Sequence, residues 1–436
     1  MNDATDAGHS HGFHLLPHGL VTFPQRIVPW IEPWFLAYAC LGTVQGGMLP
    51  LLLPLSAGGS THAGIIVGVM NLAGLTAPVW GHLADRRRLH RQVMLAGLLA
   101  ALAALVLMPF QLGLPLKAAL AGVMGIGFAA ANTVANMFIV EVRPPEEWDA
   151  RIGALQALSG LGQVIGLLAA GFIGGRFALA FGVAAGLVAA AVPIAWRTLR
   201  GVHVPTMRMA ATAHAPIGGE GWANAPQRLF HILTWRGLNT LAREMEMPFA
   251  RLLIIWFFAF TAIGAVLTMF PLSLIDAFGV SPRLPATTYA FAAAVSLALY
   301  PAAAAVAKQR GARAVLRTGF AARTIAIAIL TVGFLAHGGP VAAVLAGFVI
   351  MVVAWPLLGV SGTALAAQLA PGEKGEALGL FNAASSLAGA VGALAGGWAT
   401  HAFGYGAVCM VAGVVVALAT LLSGAGAAAP EPATPA

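Results

Sequence analysis

Gly81-His82-Leu83-Ala84-Asp85-Arg86-Arg87-Arg88-Leu89-His90-Arg91 separates two long apolar runs. Those runs are too long and too poor in charge to be the core of a soluble protein. A tight basic loop between two such runs is where a two-helix membrane hairpin turns on the cytoplasmic side, because each arginine is costly to translocate. Topology explains the arginines of this loop. It does not explain Asp85, the one acid among them.

The composition around that loop agrees with a membrane protein. Of 436 residues, 59% are hydrophobic and 9% charged, whereas a soluble domain carries about 25% charged residues. A chain of this length has too little interior to hide so much apolar surface. Only helices and closed barrels span lipid, and barrel strands alternate apolar with polar residues. These runs do not alternate, so the fold class is all-α and polytopic. The net charge of +8 comes from loop residues, with no aromatic-interleaved basic patch, so nucleic acid is not an expected partner. Cys40 and Cys409 fall in apolar runs and read as small core residues. The first residues are polar and hold no Lys or Arg before Arg26, so no cleavable signal is expected.

Twelve runs approach the ~20 residues that cross a bilayer. They are 34–56, 62–83, 92–110, 117–141, 150–174 and 177–196, then 250–275, 285–307, 314–336, 340–369, 376–400 and 403–423. The expected organisation is a polar tail at 1–32, a six-helix unit at 33–197, a cytoplasmic linker at 198–248, a second unit at 249–424 and a disordered tail at 425–436. The linker stretch from Ala225 to Met247 could lie on the membrane surface as an amphipathic helix. With both termini inside, the cytoplasmic side receives nineteen of the twenty-three lysines and arginines. Lys117, Arg176 and Arg283 are left outside, and Arg323 falls within span nine.

The two units repeat. A shift of 226 residues carries Glu147 to Glu373, Gly153 to Gly379, Ser159 to Ser385, Gly166 to Gly392 and Gly171 to Gly397, so span five recurs as span eleven. Lys308-Gln309-Arg310-Gly311 closes span eight much as Asp85-Arg86 closes span two. In this setting the loop resembles the Gly-x-Leu-x-Asp-Arg signature between helices two and three of major facilitator superfamily transporters. Gly81, Leu83, Asp85 and Arg86 match it, and Arg88 stands where that family has a second Gly. The resemblance implies a cavity between two six-helix bundles near the midplane. It also implies a cytoplasmic gate at the loop, where an acid meets the N-terminus of helix eleven. The gate residues on that reading are Gly81, Asp85, Arg86 and Arg88, with Glu141 and Arg143 at the end of span four and Lys308 and Arg310 at the end of span eight.

Polar residues at lipid depth are expensive and usually face an interior or a wet cavity. Helical spacing groups Tyr38 with Gln45, Asn132 with Asn136, Gln156 with Ser159 and Gln163, Tyr289 with Ser296 and Tyr300, and Asn382 with Ser385. Trp355 represents span ten. The cavity candidates are therefore Tyr38, Gln45, Asn132, Asn136, Gln156, Gln163, Tyr289, Tyr300, Trp355, Asn382 and Ser385. The competing use of such residues is interhelical hydrogen bonding, worth about 0.6 kcal/mol each on average. Glu32, Glu141 and Asp276 sit near span ends, with no acid at mid-depth. Arg323 is expected to snorkel to the cytoplasmic surface, since span nine is peripheral in the family it resembles.

No nucleotide-binding signature, metal-ligand cluster or nucleophile elbow is present, so the sequence reads as a transporter and not as an enzyme, with no cofactor and no metal site. The expected protein is a monomer in a bacterial-type plasma membrane. It moves a small neutral or anionic polar solute by alternating access, with a proton or ion as a possible coupling partner. Three alternatives stay open. The histidines His9, His11, His14 and His18 suggest a transition-metal importer. A non-transporting relative acting in assembly or pigment delivery has the same fold. A multidrug exporter is the third, although Gly162-Gln163 and Gly166-Leu167 depart from the Gly-Pro and Gly pairs of drug exporters in span five.

Overall fold

Long apolar stretches interrupted by proline and glycine build the described helices of this protein. A computed structural model describes residues 30–87, 89–110, 112–200, 247–336, 340–370 and 374–424. The His-rich tail, most of the linker with its amphipathic stretch, Arg88 and the C-terminal tail lie outside the described residues, as do the side chains of Asp85, Arg86 and Glu141.

Helix α1 runs in three pieces, Phe35–Leu41, a π-helical Gly42–Met48 and Leu49–Ser56. α2 is Ser60–Leu72, a 3-10 turn Ala73–Thr76 and Ala77–Arg87. The tightened turn precedes Pro78, whose ring and missing N–H disturb the helix one turn back. The first half continues with α3 His90–Leu107, α4 Leu114–Val142, α5 Pro145–Ile173 and α6 Phe177–Thr198. The second half begins with α7 Pro248–Phe278, α8 Arg283–Arg310 and α9 Ala312–Leu335. α10 is broken at Ala354 into Val341–Val353 and Trp355–Gln368, with Pro356 just inside the second piece. A last helical stretch, Lys374–Gly424, turns at Gly404, whose φ of 81° suits a residue without Cβ. It therefore counts as two spans, α11 (374–403) and α12 (405–424). Among the described residues eleven stretches are long and apolar enough to cross a membrane, and this break makes them twelve. Among the described residues there is no strand.

Each half has its own core, one around Phe35, Phe128 and Phe181, the other around Trp256, Phe270, Phe320 and Phe348. Phe172, Trp398, Phe403, Val414 and Leu421 face outward, as apolar side chains do where the solvent is lipid.

The internal repeat recurs in the packing. Backbones of α1 and α5 meet where Gly47 faces the Gln163 carbonyl and Gly166 faces the Thr43 carbonyl. Backbones of α7 and α11 meet where Gly392, the repeat of Gly166, faces the Thr261 carbonyl. Small residues permit this approach. The halves touch each other through two further repeated contacts. Gly171 of α5 meets Ala286 of α8, and Gly397 of α11 meets Ser60 and Gly64 of α2. All four helices contribute the portion remote from residues 87, 145, 310 and 374. That is the end opposite Trp30 and the two ends of the central linker, and there the halves are interlocked. At the other, terminal end, Gly81 meets only Thr133 and Met137 of its own half, and Gly153 meets nothing within 4 Å.

Candidate functional site

Between the halves lies a cavity of about 490 Å³. A second space of about 410 Å³ shares Gln45, Met70, Asn71, Asn132 and Gly389 with it. The second space adds Gly74 and Ala77 of α2 and Ser385 of α11, so it extends the first toward the terminal end.

One wall is amide-rich. The π-helical turn of α1 carries Gln45, and such turns are frequent at functional sites. Asn132 Nδ2 of α4 donates to Gln45 Oε1 at 2.8 Å. Gln163 of α5, Asn71 of α2 and Tyr38 of α1 complete this side.

The facing wall is aromatic and carries a charge. Phe260 of α7 borders the cavity with Trp256 stacked behind it in the core at 3.9 Å, and Trp355, at the break of α10, meets Phe260 edge-on at 5.6 Å. The indole N–H of Trp256 donates to Ser385 Oγ at 2.8 Å, which fixes the stack against α11. Arg323, midway along α9, borders the cavity and is only 2% exposed. Its guanidinium carbon lies 5.5 Å from the Trp355 ring centre and 5.8 Å from that of Phe260. Nε and Nη1 have no hydrogen-bond acceptor in the protein. Tyr289 of α8 borders the same cavity, and the Tyr300 hydroxyl lies beside Trp355. Among the described residues bordering the two spaces there is no Asp, Glu or Lys.

The expected snorkelling of Arg323 is therefore corrected: the side chain turns inward, not toward a surface. The remaining candidates divide. Tyr38, Gln45, Asn132, Gln163, Tyr289 and Trp355 border the larger space, and Ser385 the smaller. Asn136, Gln156, Tyr300 and Asn382 border neither. Asn136 instead donates to the Asn132 carbonyl at 3.0 Å, since a side chain one helical turn on can reach that group. Gln156 lies beside Tyr38, and Asn382 is exposed. Asn71, Thr268 and Phe260 border the cavity without having been singled out. A lone amide such as Asn71 has no same-face partner for a spacing pattern to detect.

Of the gate residues, Arg143 caps α4 and its Nε meets Glu32 Oε1 at 3.0 Å. Arg151 Nη1 reaches the same oxygen at 2.8 Å and Arg151 Nε reaches Glu147 Oε2 at 2.7 Å. Glu32 thus ties the start of α1 to α4 and α5 within one half. The hydrogen bond to Glu32 raises the Arg143 pKa further above its ordinary value. Lys308 and Arg310 close α8 and are exposed. Asp276 at the other end accepts from the Tyr405 hydroxyl at 2.6 Å.

The family model for the Major Facilitator Superfamily matches residues 34–357 and, again, 252–436. The solved nucleoside transporter NupG superposes with a TM-score of 0.68 at 12% identity, over 92% of this chain and 98% of its own. The peptide transporter POT in complex with sulfate gives 0.64 at 18% identity, over 95% and 96%. The human organic anion transporter MFSD10 (TETRAN) gives 0.59 at 17% identity, over 92% and 99%. At such identities the likeness is one of fold. No curated protein sequence matches the chain.

Proposed function

The chain belongs to the major facilitator superfamily, and from that premise we propose that it is a secondary active transporter moving a small polar solute by alternating access. It is a multi-pass membrane protein of a transporter family, not an enzyme. The observation that carries the proposal is the mid-depth cavity, walled by both halves and continued toward one end while the halves interlock at the other. A volume of about 490 Å³ lies within the range of about 300–1,000 Å³ usual for small-molecule sites. The superposed proteins are transporters of nucleosides, peptides and organic anions, so the fold leaves the solute class to the residues of the site.

Purified protein in liposomes should take up members of a labelled solute panel. Gln163→Leu should lower the initial rate at least tenfold for any solute carried, because it removes a wall amide that the solute would otherwise hydrogen-bond. Normalisation to protein in the membrane separates this from poor expression. Undiminished uptake by Gln163→Leu would remove the amide wall from the pathway.

The orientation we propose places both termini and the linker in the cytoplasm of a cell with a bacterial-type plasma membrane, on the bias of loop arginines. In a background without Cys40 and Cys409, a cysteine at Ser281 should react with an impermeant maleimide added to intact cells. A cysteine at Gln309 should react only after lysis. The reverse pattern would invert the topology.

A further inference from the structure

Arg323 is the charge to account for. An arginine side chain stays protonated in proteins, and burying a charge without a partner is costly. Here the Trp355 and Phe260 rings offset part of that cost through their faces. They supply no acceptor, and Nε and Nη1 are left without one. Packing supplies the inward direction. Leu316, Phe320, Arg323, Ile327 and Leu330 are buried along one face of α9, whereas Arg317, Ile325 and Val332 face out. The guanidinium is therefore clamped at mid-depth beside the cavity rather than reaching for the surface.

We propose that Arg323 is the anion-binding group of the cavity and that the solute is a small organic monoanion. Its carboxylate is paired with the guanidinium and its flat or apolar body lies against Phe260 and Trp355. The proposal rests on reading the cavity as the transport site. Charge counting gives the valence. The two spaces hold one cation and, among the described residues, no acid. A single negative charge neutralises the site, whereas a dianion would bring an unpaired charge into it and a cation would meet like charge. Geometry gives the head group, since a planar guanidinium matches a carboxylate with two parallel hydrogen bonds. The aromatic wall gives the body, because the charged edge of the site is continuous with ring faces and the amides stand across from it.

The full-length protein in nanodiscs can be titrated calorimetrically with benzoate, benzamide and benzylamine, three probes of one shape and different charge. Benzoate should bind about 10- to 100-fold more tightly than benzamide, as expected for a charge-assisted hydrogen bond, and benzylamine should not bind. Arg323→Gln should abolish the preference, so that benzoate and benzamide bind this variant alike, and Arg323→Lys should keep part of the preference. Equal binding of benzoate and benzamide, absence of benzoate binding, or an undiminished preference in Arg323→Gln overturns the proposal. If Arg323→Gln does not elute as a folded monodisperse species, the ranking of the three probes on the unmodified protein decides. Benzoate binding that depends on Arg323 in a protein that transports nothing would sink the transporter reading and leave this one. Uptake of neutral solutes with no preference for anions would do the reverse.

Discussion

Gly166→Val should leave almost no folded protein in the membrane. A methyl group alone at this position would overlap the carbonyl oxygen of Thr43 and lie 3.0 Å from the Cα of Gly47, and both are backbone atoms that no rotamer change can move. The contact is reciprocal. A Cβ on Gly47 would stand 2.6 Å from the Gln163 carbonyl and 2.7 Å from the Cα of Gly166. Overpacking of a close-packed interior costs about 1–3 kcal/mol when side chains can shift, and here only whole helices can. Because α1 also carries Gln45 and α5 carries Gln163, separating them disperses the amide wall together with the bundle. Fluorescence-detected size exclusion and a thermal melt read the result. The expected outcome is a collapsed monodisperse peak, with the same for Gly392→Val, which meets the Thr261 carbonyl in the second half. Gly153→Ala is the control: nothing lies within 4 Å of it, and alanine is the better helix former by about 1 kcal/mol. A Gly166→Val protein that melts like the parent would mean that α1 and α5 are not in backbone contact.

The twelve spans were legible because lipid demands length and apolarity, two properties a single chain displays openly. The repeat was legible for a related reason. Gly166 and Gly392, and Gly171 and Gly397, recur because the same backbone approaches occur twice. What stayed hidden depends on register and rotation. The π-helical turn at Gly42–Met48 re-aims Gln45, and no side-chain pattern announces it. Asn136 shares a face with Asn132, yet its amide is spent on the neighbouring carbonyl, an alternative that spacing does not separate from a cavity. Arg323 is a different case, because its direction was present in the chain. It falls in step with Leu316, Phe320, Ile327 and Leu330, the apolar stripe of α9, and a charge on such a stripe points inward. The resemblance, in which span nine is peripheral, points the other way from that stripe. The charges of the basic loop illustrate a further limit: Asp85 marks a gate by resemblance, whereas two of the ion pairs described at the terminal end run through Glu32, which no motif identifies.

Gly397→Val should keep the protein folded while moving it out of the conformation described here. Gly397 resembles Gly166 in the tightness of its surroundings, with the Ser60 carbonyl 2.5 Å and the Gly64 Cα 2.8 Å from a Cβ placed on it. The difference is which surfaces meet. Gly166 joins two helices of one bundle, whereas Gly397 of α11 meets α2 of the other half, so added bulk can be relieved by the halves parting at that end. A family fold with two bundles has a low-cost motion of that kind available, and a packed core does not. A penalty of about 1–3 kcal/mol against the interlocked state changes the population ratio about 5- to 150-fold. Spin labels at Gly175 and Ser281, one on each half at the interlocked end, should give a distance distribution shifted to longer values. Net uptake in liposomes should fall at least tenfold, because a cycle needs that end to close, and the thermal melt should stay near that of the parent. Gly171→Val, facing Ala286 across the repeated contact, should act the same way. Loss of folded protein would place Gly397 in the same class as Gly166, and an unshifted distance distribution with normal uptake would mean that this contact does not close the end at all.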